Sequence, residues 1–326
     1  ATPAAVAGPF VDPLDKPADM SPLAQYSQLL AITRAGSRLV AAGMRGHILY
    51  SDDEGRTWVQ ARVPVSVTLT ALSFPTPRQG WAVGHNGVVL HSKDGGESWE
   101  RQLDGRRTAT DMVAFYEGLA RGGDEAAARL AQELPINWQD GPEQPWLGVW
   151  FENEQHGFVG GSFNLMLETR DGGRSWTPWT HRVANPDGLH LNSIERIGSA
   201  LYMPSERGVV FRMREGEERF AALQTAYTGT FFGICGDERV LLIECGNSLG
   251  AITSREALII LCQSPFKLRA NFLVVIHKEQ RWFHNHQVSV KQKTAVENSR
   301  KFFLWCDFSN DAGNSEGGGA KGRPRS

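Results

Sequence analysis

The apolar positions of this 326-residue chain come in short runs, broken about every ten residues by glycine and small polar residues. Residues 38–43, 47–50 and 58–61 form one set of three runs, and residues 69–74, 80–84 and 88–91 repeat the order. Such short runs, closed by Gly, Asn or Asp, predict strands joined by tight turns rather than helices. The order resumes at 147–151, 157–161 and 165–167, and again from Asn192 through 200–203 and 209–211. A fifth set begins at 228–233 and 239–242. Between the second and third sets the period changes. Residues 110–119 and the Ala/Glu/Leu-rich 124–134 follow a helical pattern, with Asp124 placed to cap the second helix. Residues 104–145 therefore read as a two-helix insertion, and residues 1–22, with five prolines, as an extended lead-in.

An eight-residue phrase sits at the end of three sets. It reads Ser51-Asp52-Asp53-Glu54-Gly55-Arg56-Thr57-Trp58, then Ser92-Lys93-Asp94-Gly95-Gly96-Glu97-Ser98-Trp99, then Thr169-Arg170-Asp171-Gly172-Gly173-Arg174-Ser175-Trp176. The shared Asp and hydroxyl side chains can bond nearby backbone groups, as in Asx and ST turns. Gly55, Gly96 and Gly173 supply the positive φ that other residues adopt at a cost. Trp58, Trp99 and Trp176 open the next strand and offer a large ring for burial. Three equivalent acids on equivalent turns cannot all face one substrate, so Asp53, Asp94 and Asp171 read as architecture. A fourth copy has decayed into residues 214–220.

The phrase resembles the Asp-box, or bacterial neuraminidase repeat, of β-propellers. Asp53 and Asp94 stand 41 residues apart, within the ~40–50 residues of a four-stranded blade. The expected fold is an all-β Asp-box propeller with a two-helix insertion, and seven such blades plus the insertion would nearly fill the chain. After residue 242 the pattern is lost and the composition changes. Residues 1–262 hold 21 Arg and 2 Lys, whereas residues 263–326 hold 5 Arg and 6 Lys. Two readings of 243–326 compete: divergent last blades, or a frameshifted or foreign tail, with disorder expected from about residue 310.

Charge and composition narrow the function. A formal net charge of −2 gives no basic field for nucleic acid. No run of eighteen apolar residues predicts a membrane span. The small, uncharged start Ala1-Thr2-Pro3-Ala4-Ala5-Val6-Ala7 looks like a terminus left by signal-peptide removal, so an exported, periplasmic protein is expected. Four cysteines form no C-x-x-C pair, and His277, His284 and His286 lack a fitting ligand spacing, so neither metal nor cofactor is expected. Trp146, Trp150, Trp176 and Trp179 read as blade packing rather than a carbohydrate platform.

The turn between the second and third runs varies from set to set. It carries Met44-Arg45, His85-Asn86, Ser162-Phe163 and Glu206-Arg207, flanked by Gly43, Gly46, Gly84, Gly87, Gly161 and Gly208. Variable side chains on a repeated scaffold suit a partner-binding face. Arg45 and Arg207 suit bidentate contact with a carboxylate or phosphate.

Residues 41–51, 80–87 and 157–163, with the helical insertion, are similar to the photosystem II stability/assembly factor family of exported propellers. The likeness is to its non-photosynthetic bacterial branch and runs from about Ser21 to Leu242. The resemblance implies a non-enzymatic scaffold that holds membrane-protein intermediates through an arginine-rich face. In this chain only Arg45 and Arg207 occupy comparable turns. The expected partner is thus a protein, in an envelope membrane-protein complex. The alternative is a sialidase-like glycoside hydrolase or glycan-binding propeller. Against it, the Arg-Ile-Pro entry motif of sialidases is absent, and neither Tyr26 nor Tyr50 is placed as a nucleophile.

Overall fold

The computed structural model describes residues 10–236 and, beyond them, the strand backbones of 240–245, 248–253, 257–262 and 274–276. Four four-stranded antiparallel sheets follow one another along the chain. Blade 1 holds β1 (Leu29–Ala35), β2 (Arg38–Gly43), β3 (Ile48–Ser51) and β4 (Val59–Gln60). Blade 2 holds β5 (Leu69–Ser73), β6 (Gly80–Gly84), β7 (Val89–Ser92) and β8 (Glu100–Leu103). Blade 3 holds β9 (Trp146–Phe151), β10 (Gly157–Gly161), β11 (Met166–Thr169) and β12 (Thr177–Pro178). Blade 4 holds β13 (Glu195–Ile197), β14 (Ala200–Pro204), β15 (Val209–Arg214) and β16 (Ala221–Gln224). In each, strand order equals chain order. The first strands β1, β5 and β9 lie beside one another, as the inner strands of a propeller do.

A fifth sheet orders β17 (Gly233–Gly236), β18 (Val240–Cys245), β19 (Ser248–Thr253), β20 (Ala257–Cys262) and β21 (Val274–Ile276). Strand pairing therefore continues past residue 242, where the sequence period fades. The expected disorder beyond residue 310 and the histidines at 277, 284 and 286 lie outside the described residues. One expected strand is displaced. Residues 228–232 form a connection, not a strand, because the chain there crosses from blade 4 to the fifth sheet. Gly229 offers its carbonyl to Gly208 N–H at 2.8 Å, and Phe231 is buried as an anchor.

Space at the end of the second strand is tight in blades 1–3. A Cβ on Gly43 would stand 2.1 Å from Gln28 O, on Gly84 2.2 Å from Thr68 O, and on Gly161 2.3 Å from Pro145 O. These three residues have extended backbone, so glycine is required there by crowding rather than by φ. The crowding carbonyls belong to the segment entering the first strand of the same blade. They accept hydrogen bonds from Met44 N–H (3.0 Å), His85 N–H (2.9 Å) and Ser162 N–H (3.2 Å). Blade 4 has Ser205 in place of glycine, fully buried, with its hydroxyl donating to His190 O at 2.6 Å.

At the opposite end of the blades, the boxes close the turn between third and fourth strands. In the second box Ser92 Oγ donates to Asp94 Oδ1 at 2.8 Å and accepts from Gly96 N–H at 2.8 Å. Asp94 also accepts from Ser98 N–H at 3.0 Å and from the Ser98 hydroxyl. The same set forms around Ser51, Asp53, Gly55 and Thr57, and around Thr169, Asp171, Gly173 and Ser175. Gly55, Gly96 and Gly173 have φ of +85°, +90° and +83°, as the pattern requires. The preceding residues, Glu54, Gly95 and Gly172, also have positive φ, a demand the shared pattern did not reveal. Only Trp99 of the three box tryptophans is fully buried; Trp58 and Trp176 are half-covered.

Single side chains cross between blades at this end. Arg38 in blade 1 holds Asp52 of its own box and reaches Gly95 O and Glu97 in the next box. Gln102 in blade 2 donates to Gly172 O of the third box at 2.9 Å and accepts from Trp81 Nε1. Trp81 stacks on Phe151 of blade 3 with centroids 3.6 Å apart, so the blade 2–3 junction is a ring stack capped by an amide.

The insertion forms α1 (Gly105–Arg121) and α2 (Glu125–Glu133). Asp104 caps α1 through Arg106 N–H and Arg107 N–H, so the helix starts five residues before the expected 110. The helical period there is masked by Gly105-Arg106-Arg107, whose glycine is needed for close approach to Gly87 and Pro142. Asp124 caps α2 as its position predicts. Met112 and Tyr116 of α1 and Ala127 of α2 are buried in one core with Trp81, Trp146 and Phe151. The lead-in is clamped as well. Leu14 is buried against the blade 1–2 core, and Asp12 and Asp15 pair with Arg106.

Two outcomes follow for stability. Gly84→Ala forces Cβ into a backbone carbonyl and should cost about 1–3 kcal/mol, read as a lower urea midpoint with unchanged slope. The box acids also set an acid limit. Hydrogen bonds from the Thr57 side chain and backbone, then from Ser51, pull Asp53 down to about 2. Burial pushes Asp94 and Asp171 up, but the hydrogen bonds from Ser98 and Ser175 win and both lie below 3.8. Depressed carboxylates contribute stability that is present above their unfolded value and lost as pH falls through the folded one. The melting midpoint should therefore drop between about pH 4 and pH 2, and Asp94→Asn should lower it at pH 7 while flattening that acid drop.

A candidate partner-binding face

Antiparallel order places the turn between second and third strands at the end of the blade opposite the boxes. The four turns share one conformation. Arg45, Asn86, Phe163 and Arg207 have φ of 59°, 57°, 51° and 53°. The following Gly46, Gly87, Asn164 and Gly208 also have positive φ. The carbonyl before each pair accepts from the N–H after it, as in His47 N–H to Met44 O at 3.1 Å and Val209 N–H to Glu206 O at 3.0 Å. Two consecutive left-handed residues closed by this bond make a type I′ hairpin, whose twist matches that of the strands. Asn tolerates the conformation, but an Arg or Phe there costs about 1–2 kcal/mol against glycine-like freedom.

The expected contact residues divide on burial. Met44, Arg45, His85, Phe163 and Arg207 are exposed, and Asn86 and Glu206 are half-buried. Phe163 keeps 45% of its surface in solvent despite its size. Ser162 departs from the expectation. It is 2% exposed, and its hydroxyl donates to Gln144 Oε1 at 2.8 Å, so it holds the turn to the end of the insertion rather than facing outward. The insertion borders the face at blade 2 also, where Gly105 at the start of α1 lies against Gly87, and Trp146 Nε1 of β9 donates to Gly87 O at 2.9 Å.

Blades 3 and 4 build the most developed part of the face. The Phe163 ring lies 4.9 Å from the His190 ring. His190 is held by Glu206 Oε2, which accepts from its backbone N–H at 3.0 Å and contacts Nδ1 at 2.9 Å. Burial pushes the Glu206 carboxyl up, but the His190 hydrogen bonds and charge bring it below its usual value. Arg207 pairs with Asp187 at 3.3 Å across well-exposed side chains, a contact worth ~0–1 kcal/mol. Its guanidinium therefore remains open to exchange for another anion. Arg45 has no ion pair among the described residues. In sheet order blades 2 and 3 stand between Arg45 and Arg207, so the two arginines serve separate turns. His190 and Asp187 were not foreseen. Asn185-Pro186-Asp187-Gly188 does read as a turn, but its approach to blade 4 is a tertiary fact.

The box acids offer this face nothing, being spent on their own turns at the other end. Tyr116 is fully buried, pushed up to about 12 by burial, with its hydroxyl 3.1 Å from His181 Nδ1. Among the described residues no group of three His, Cys, Asp or Glu could hold a metal ion. No helix among them is long and apolar enough to cross a membrane.

Strand order, boxes and helical insertion define an Asp-box β-propeller that presents one row of non-glycine type I′ turns. The chain belongs to the family described as photosynthesis system II assembly factor YCF48, which matches residues 51–117 and 133–230. It is 32% identical over 107 residues to the chloroplast photosystem II stability/assembly factor HCF136 of Cyanidioschyzon merolae, covering 32% of this chain and 23% of that protein. The rice (Oryza sativa subsp. japonica) protein of the same name is 24% identical over 188 residues, covering 53% of this chain and 43% of its own length. The chain thus spans less than half the length of these relatives. A solved structure of YCF48 bound to D1 peptide aligns with 77% of this chain and 87% of its own, at 13% identity and a TM-score of 0.46.

Left-handed Arg45 and Phe163 lead to a direct expectation. Arg45→Gly and Phe163→Gly relieve the αL penalty but add chain entropy, so each should leave stability unchanged or raise it by up to about 1 kcal/mol. Urea unfolding of each variant checks this, and a loss of stability would mean these side chains support the fold.

Proposed function

We propose that the chain is a non-enzymatic, exported scaffold or accessory factor that binds a protein partner through the row of type I′ turns. The carrying observation is the left-handed residue. At one equivalent position three of four turns hold Arg or Phe in a conformation that glycine adopts without cost. Strained, exposed, chemically different side chains on an invariant backbone favour recognition over packing.

The partner we infer is a segment of an envelope membrane-protein complex, in keeping with the assembly factors of the family and with a relative solved with a D1 peptide bound. Arg45 and Arg207 would meet carboxylates of that segment, and Phe163 with His190 an apolar side chain. Membership of an assembly-factor family and acids saturated by their own turns favour this over glycoside hydrolysis.

The test is affinity capture from native envelopes with the wild-type chain, Arg45→Ala, Arg207→Ala and Phe163→Ala. We expect each substitution to weaken recovery of the same partner about 5–30-fold, the range of 1–2 kcal/mol at an interface anchor. Undiminished recovery by all three would remove this face. Turnover of sialosides or aryl glycosides by purified protein would overturn the non-enzymatic reading.

A further inference from the structure

At the box end, the first three blades are joined by different chemistry from one junction to the next. Blade 1 meets blade 2 through Arg38, a permanent charge, and blade 2 meets blade 3 through the neutral Gln102 and the Trp81–Phe151 stack. The junction of blades 3 and 4 contains a histidine. His156 lies in the turn between β9 and β10, with Nδ1 3.2 Å from Glu152 Oε2 and Nε2 3.0 Å from Glu168 Oε1. Glu152 Oε1 then accepts from Arg196 of β13 at 2.7 Å, across the blade boundary. Glu168, on β11 and 8% exposed in its side chain, is also met by Arg170 at 2.7 Å. The Phe158 ring of β10 stands 5.1 Å from the imidazole and limits its rotation. Glu215 lies 4.0 Å from the far side of Arg196 and completes the charged groups around the cluster.

Two carboxylates on the two ring nitrogens are a demand on protonation. A neutral imidazole has one N–H and one lone pair, so one carboxylate would face a lone pair at about 3 Å. Only the imidazolium donates to both. We propose that His156 is a proton-dependent latch between blades 3 and 4: protonated, it fixes Glu152 where Arg196 can bind it; neutral, it releases that contact and loosens the junction. The hydrogen bond to Glu168 first, and that to Glu152 after burial is overcome, raise His156 above its ordinary 6.5. Arg170 opposes them by its charge. A histidine raised in the folded state contributes stability that is complete below its unfolded value and lost as pH rises through the folded one. The junction is therefore closed in mildly acidic solution and opens as pH rises through the raised folded value. The segment entering blade 4 carries His190 and its β14–β15 turn Glu206 and Arg207, so the latch governs how firmly these three are held.

The experiment uses the full chain, His156→Gln and Glu152→Gln. Thermal midpoints are measured from pH 5.5 to 9, and the His156 ring is titrated by NMR. We expect the wild-type midpoint to fall by roughly 2–4 °C more than that of His156→Gln as pH rises. Glu152→Gln should move the imidazole titration to lower pH while leaving the blades folded. Amide protection in β13 and β14, corrected for the intrinsic rise of exchange with pH, should fall as pH rises in the wild type only. Parallel midpoint profiles for wild type and His156→Gln, or an imidazole that titrates below 6.5, would overturn the latch. If His156→Gln does not fold, Glu152→Gln and the wild-type titration decide alone.

Discussion

The carbonyl that presses against the end of each second strand is the constraint on which the arrangement depends. Gln28, Thr68 and Pro145 bring their carbonyl oxygens so close to Gly43, Gly84 and Gly161 that no side chain fits between. That contact ties the segment entering a blade to the hairpin two strands later. It aligns the strands of blades 1–3 and aims their hairpins the same way. Ser205 shows the alternative open to blade 4, where a hydroxyl reaches the His190 carbonyl. His190 is then carried to Phe163 and Glu206. The departure from glycine and the most developed part of the face are thus one local change.

The two ends of the blades consequently do different work. At one end Ser/Thr, Asp and Gly fold back on themselves, and Arg38, Gln102 and Glu152 tie neighbouring blades. At the other, the turn's own backbone bond sets its shape and side chains from neighbouring segments brace it, which leaves the left-handed side chains turned to solvent at Arg45, Phe163 and Arg207. The insertion joins the two tasks. Its helices share a core with Trp81 and Phe151, while Gln144 at its exit steadies Ser162. A partner touching α1 or the blade 3 turn would therefore act on the same rigid unit.

Much of this was legible in the chain because it is local. Ser92, Asp94, Gly96 and Ser98 bond within four residues of one another, so their spacing announces their geometry. The turns carrying Arg45, Asn86, Phe163 and Arg207 were legible for the same reason, since paired glycines mark where backbone must turn. What escaped depends on distance. Ser162 is buried because Gln144, eighteen residues earlier, covers it. His190 joins the face through Glu206, Ser205 and Phe163, and the first residue of α1 is glycine because Pro142 O and Asn86 O crowd it. Residues 228–232 have the composition of a strand but serve as a crossing, and Phe231 gives its bulk to the core instead.

We propose that partners meet the hairpin end and not the box end. Site-specific photo-cross-linking in the source cells tests it most directly, with a photoreactive phenylalanine placed at position 163 on the hairpin end or position 54 on the box end. Both positions are exposed and both have positive φ, so the two probes differ chiefly in the end they report. We expect a discrete cross-linked partner from position 163 and none from position 54. Cross-links from position 54 alone, or equal yields from both, would contradict it.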